Sequence, residues 1–142
     1  MNLLYGLLVM LACLLLQACL LIVALRFYGR HQYRLAPSSF STALALVGGV
    51  MLVLVAGNLA QVGIWGLLFM LLGEFQAFRE AMYHSAVNFA TLGYGDIVMS
   101  DAHKMLGPLQ AINGILMIGV STAVLMAAVQ DVIRKTAGVD DD

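Results

Sequence analysis

The stretch Thr91-Leu92-Gly93-Tyr94-Gly95-Asp96 has the residue types and spacing to replace the hydration shell of a cation. Taking a bare cation into a medium of low dielectric costs on the order of 20 kcal/mol by the Born estimate, which replacement oxygens must offset. Backbone carbonyls are the densest source, one per residue. In an ordinary strand successive carbonyls point to opposite sides. Aiming them all one way requires left-handed backbone angles at alternate residues, which glycine adopts without a Cβ clash. Gly93 and Gly95 are two apart, as that alternation requires, and Thr91 adds a hydroxyl oxygen at the inner end. In a soluble chain Gly-Tyr-Gly-Asp reads as a surface turn, so the flanking segments decide.

Those flanks belong to a membrane chain. Of 142 residues, 62% are hydrophobic and 11% charged. The net charge of -1 leaves no basic footprint for nucleic acid. Cys13 and Cys19 lie inside an apolar run without a nearby His or carboxylate, which argues for lipid-facing or packing roles and against zinc or redox chemistry. No nucleophile, base and acid stand at catalytic spacing, so an enzyme is not expected.

Residues 3–25 are apolar except at Gln17, long enough to span about 30 Å of hydrocarbon. With no Lys or Arg before Arg26, the run reads as a retained transmembrane helix rather than a signal peptide. Residues 26–40 read as a polar connection bearing Arg26, Arg30, His31, Arg34 and Pro37. These arginines follow a span instead of lying within one, so they mark the cytoplasmic side and do not form a voltage sensor. Contact with anionic headgroups is a secondary expectation. Ser41 and Thr42 are placed to cap a second apolar run from Ala43 to about Leu72, longer than one span needs, with the span expected near 43–66 and the remainder tilted or at the outer surface. In it Trp65 is expected at the membrane interface, and Gly48, Gly49, Gly57, Gly63 and Gly66 are expected to allow close helix contacts. Residues 74–90 are too short and too polar to span. They suit a half-helix dipping into the membrane and ending at Thr91, its negative dipole end toward the bilayer centre. A further span runs from Met105 to about Ile133, with Pro108 in its first turn and Arg134 and Lys135 after it. The short acidic tail, 136–142, is expected to be disordered. An outside N-terminus, three spans and one re-entrant segment place both basic clusters inside.

Thr91 to Asp96 resembles the selectivity filter of potassium channels, whose signature is Thr-Val-Gly-Tyr-Gly, commonly followed by Asp. Residues 41–135 resemble the pore unit of that superfamily, with 1–40 as an extra N-terminal helix and basic linker. The resemblance implies an all-α membrane protein whose three transmembrane helices, re-entrant pore helix and filter loop form a homotetrameric pore. It implies that carbonyls of Thr91, Leu92, Gly93 and Tyr94, with the Thr91 hydroxyl, hold dehydrated K+. Gly95 would complete the outer end, with Asp96 at the mouth. It places the last helix along the cavity, with Gly114 or Gly119 as hinge and Ser121 and Thr122 as cavity hydroxyls. Packing glycines, and hydroxyls bonded to their own helix, are the alternative. Tyr83 and His84 stand where aromatic residues often brace the filter. Asn88, Ala90 and Leu92 depart from the usual pattern, and Val87 lies near the place where some channels keep a carboxylate. The expected function is passive, potassium-selective conduction by an integral protein of a bacterial inner membrane, with membrane lipid and K+ as partners. A poorly selective cation channel and a non-conducting subunit of another transporter are the alternatives.

Overall fold

A computed structural model describes residues 2–31 and 40–136. Within them lie four helices: α1 (Asn2–His31), α2 (Phe40–Leu71), α3 (Phe78–Phe89) and α4 (Leu106–Thr136). Three segments, Leu3–His31, Ser41–Leu71 and Leu106–Lys135, are long and apolar enough to cross a membrane. The 12-residue α3 is not. The chain is an integral membrane protein whose regular structure, among the described residues, is entirely helical.

Side-chain meetings fix the directions of the long helices. Gly6 sits beside Leu106 and Leu109, Gln17 meets Ser121, and Tyr28 meets Asp131, so α1 and α4 run parallel. Phe27 lies against Gly49, Leu20 against Gly57 and Gln17 against Gln61, so α2 runs antiparallel to both. Arg26 and Arg30 therefore share one end of the bundle with Arg134 and Lys135, and we call it the basic end.

Several boundaries differ from the sequence reading. α1 continues past Leu25 to His31, so Arg26, Arg30 and His31 belong to the helix and not to a connection. The added turns have partners: Phe27 at Gly49 and Tyr28 at Asp131. Arg34, Pro37 and the acidic tail lie outside the described residues. α2 already runs from Phe40, so Ser41 and Thr42 lie inside it and do not cap it. α3 begins at Phe78, because residues 72–77 form a turn that carries Glu74 to other partners.

Trp65 is fully buried inside the bundle. It packs with Cys13, Leu68, Phe69, Ala81 and Leu106 in an apolar cluster that all four helices share near the filter end. Cys13 is thus a packing residue, while Cys19 is exposed. Of the five glycines of α2, Gly49, Gly57 and Gly66 sit closest to a neighbouring helix; Gly48 has open space beside it. A smaller cluster of Ala24, Val50 and Leu54 joins α1, α2 and α4 toward the basic end.

Candidate functional site

The chain from Phe89 to Asp96 leaves α3 by a Schellman ending. The Thr91 N–H donates to Asn88 O and the Leu92 N–H to Val87 O, both at 2.9 Å. That pattern demands a left-handed residue at Thr91, and its φ is 58°. Gly93 follows at φ 57° and Gly95 at φ 73°. Left-handed angles at every second residue, with Leu92 and Tyr94 between them, are the alternation that turns successive carbonyls to one side. Thr91 joins it at a cost of roughly 1–2 kcal/mol, since a β-branched side chain crowds the backbone there.

Two sets of bonds brace this loop. At its far end the Tyr83 hydroxyl donates to Asp96 Oδ2 at 2.7 Å, while the Ile97 N–H donates to Asp96 Oδ1 at 3.0 Å. The Tyr83 bond, supported by the backbone donors, holds the Asp96 carboxyl below its usual range, and the same bond pushes the Tyr83 phenol up. Behind the loop, buried His84 Nδ1 lies 2.9 Å from Ile97 O, and its Nε2 lies 2.9 Å from Asn88 Nδ2. A carbonyl accepts only, and an amide NH2 donates only. His84 is therefore neutral with its proton on Nδ1, and burial pulls its pKa down. Asn88 thus fixes the rear acceptor of His84 from one turn along α3.

α3 is pinned from both sides. The Ser85 hydroxyl donates to Val62 O on α2 at 2.7 Å, and Gln110 Nε2 on α4 reaches Ser85 Oγ at 2.6 Å and Ser85 O at 3.0 Å. At its last turn Gly114 leaves no room: a Cβ there would stand 2.0 Å from Phe89 O. The loops at either end of the site meet at Glu74. Its carboxylate accepts from the Ser100 N–H at 2.7 Å and the Ser100 hydroxyl at 2.6 Å, and it also bonds His103. Burial opposes ionisation of Glu74, but the Ser100 and His103 bonds outweigh it and hold the carboxyl below its ordinary value.

The residues expected along the last helix separate. Gly114 packs against α3, whereas Gly119 has no atom within 4 Å of a modest side chain's first carbon. Ser121 is buried and turned to α1, where its hydroxyl accepts from Gln17 Nε2 at 2.9 Å. Thr122 is exposed, and its hydroxyl donates to Ile118 O of its own helix at 2.9 Å. Val87 is buried behind the loop. Sequence reasoning missed Ser85, Gln110 and the partners of Glu74. The available signal was a lone polar residue in an apolar stretch, which in a membrane chain needs a partner.

Beside the loop lies a cleft of about 340 Å³ lined in part by His84, Asn88, Thr91, Gly93 and Pro108. Leu92 and Tyr94 are 54% and 64% exposed.

No curated protein and no solved structure matches the chain. A family model described as "Ion channel" matches residues 59–131, from the middle of α2 through α3 and the glycine loop to Asp131 of α4. With just over half of its 142 residues in that match, the chain belongs to this ion channel family.

Proposed function

We propose that four copies of this chain surround one axis and conduct K+ passively and selectively through the loop 91–95. The observation that carries the reading is the left-handed alternation at Thr91, Gly93 and Gly95. It suits a column of carbonyls from Thr91, Leu92, Gly93 and Tyr94 that, taken from four chains, replaces the water around a K+ ion. The Thr91 hydroxyl adds an oxygen at the inner end, Gly95 completes the outer end and Asp96 stands at the mouth. α3 in this reading is re-entrant, and its C-terminal dipole end favours a cation below the filter. The unpartnered Leu92 and Tyr94 and the open cleft beside them support neighbouring copies, since one chain cannot close a ring. Basic residues at one end of the bundle support an inside C-terminus and an outside N-terminus, and we place the channel in a bacterial inner membrane.

The test is flux and reversal potential in liposomes holding the purified protein. A K+ flux with reversal near the K+ equilibrium potential in mixed Na+ and K+ gradients is expected. Reversal near zero makes the chain a poorly selective channel. Absence of flux from pure tetramers, together with a stable complex with another membrane protein, makes it an accessory subunit.

A further inference from the structure

α1 lies outside the family match, yet its polar side chains hold residues of α4 within the match. Midway along the bundle Gln17 Nε2 donates to Ser121 Oγ at 2.9 Å, while Gln17 Oε1 accepts from Gln61 Nε2 at 2.8 Å. All three side chains are buried. Toward the basic end the Tyr28 hydroxyl donates to Asp131 Oδ2 at 2.6 Å. Lys135 Nζ bonds the same oxygen at 2.6 Å and lies 5.7 Å from the centre of the Tyr28 ring. These two links stand about 15 Å apart along α4, by the helical rise per residue.

The distribution of the links along α4 is informative. Gly114 is wedged against the Phe89 carbonyl, so the filter end of α4 cannot shift without moving α3. Gly119 has open space where a side chain would stand. Ser121 and Asp131 both lie beyond Gly119. Val124 and Leu125 of that half also pack against the apolar cluster that α1 and α2 share. Apolar contacts tolerate sliding, whereas a hydrogen bond in hydrocarbon has no water to replace it.

We propose that α1 is a restraint on the distal half of α4, with Gln17 and Tyr28 as positioning residues that set the width of the conduction path on the basic side of the filter. This rests on the channel reading above, in which α4 from the four copies surrounds the path on the basic side of the filter. A rearrangement of α4 beyond Gly119 must then break these links or carry α1 along.

The experiment compares Gln17→Leu, Ser121→Ala and their double variant, and Tyr28→Phe, Asp131→Asn and theirs, in reconstituted tetramers. Tyr28→Phe is the mild member: it keeps the ring beside Lys135 and removes one hydroxyl. Single-channel dwell times give the open–closed equilibrium. Spin labels at Ile133→Cys, in a Cys13→Ala/Cys19→Ser background, give distances between subunits at the basic end. Each single variant is expected to shift the equilibrium about threefold to tenfold, in line with lost membrane hydrogen bonds, and to broaden the distances. Each double variant should be no worse than its stronger single, with reversal potentials unchanged. Additive doubles overturn the proposal. So do variants that lower thermal stability yet leave dwell times and distances as in the parent. If the parent conducts no ion, the channel reading fails, and the distances alone still decide whether α1 positions α4.

Discussion

Gly73 and Thr91 occupy the same position in two helix endings. At the end of α2 the Gly73 N–H donates to Met70 O at 2.9 Å and the Glu74 N–H to Phe69 O at 3.0 Å. At the end of α3 Thr91 and Leu92 make the corresponding pair of bonds, and φ is 78° at Gly73 and 58° at Thr91. The chain thus uses glycine, the usual residue, where only a turn is needed. It uses a strained β-branched residue where the ending opens the candidate filter. The feature threonine adds there is its hydroxyl.

Thr91→Gly should therefore stabilise the fold while impairing conduction. Relief of strain, less the added freedom of the unfolded chain, is expected to give about 1 kcal/mol, seen as a higher thermal midpoint in detergent. K+ flux should fall, and Thr91→Ser should restore it. Wild-type flux in the glycine variant would remove the hydroxyl from the mechanism.

Gly93→Ala places a methyl on a residue at φ 57°. The backbone cost is roughly 1–2 kcal/mol, too little to prevent assembly. Reorientation of the carbonyls should abolish K+ conduction. Size-exclusion profiles and flux, measured on the same preparation, check both halves of the expectation.

Gly114 and Gly119 should respond oppositely to alanine. At Gly114 the new methyl meets the Phe89 carbonyl at 2.0 Å, backbone against side chain, so α3 must move. A loss of roughly 3 kcal/mol or more and a collapse of flux are expected. Gly119→Ala meets no atom within 4 Å and gains helix propensity, up to about 1 kcal/mol. The two thermal midpoints decide between packing and freedom at each site.

Glu74 makes the turn between α2 and α3 acid-sensitive. Its folded pKa lies below its ordinary value of 4.5, so its contribution is complete above that value. It is lost as pH falls through the folded pKa, where protonation removes acceptors from Ser100 and His103. Thermal midpoints measured on descending pH should drop below about pH 4.5 in the parent. Glu74→Gln should start lower by roughly 1–2 kcal/mol and show a flatter acid limb. An unchanged limb would place the acid sensitivity elsewhere.

The sequence by itself determined the spans, the short helix between the second and third of them, and the glycine spacing of the loop. These are one-dimensional signals. Apolar length sets what can cross a bilayer, and residues at i and i+2 fix which backbone angles are accessible without strain. Even the shared placement of Arg26 and Arg134 followed from counting spans. The tertiary structure decided what the isolated polar residues do. Gln17, a single interruption in an apolar run, has meaning only because Gln61 and Ser121 arrive beside it from far along the chain. Trp65 is interior because α1 covers it, and α1 reaches His31 because Phe27 and Tyr28 find partners on α2 and α4. Gly114 and Gly119 are the same residue type on one helix, yet only the position of the Phe89 carbonyl separates the wedge from the free site. Such pairings depend on which helix faces are brought together, and periodicity along one chain does not contain that information.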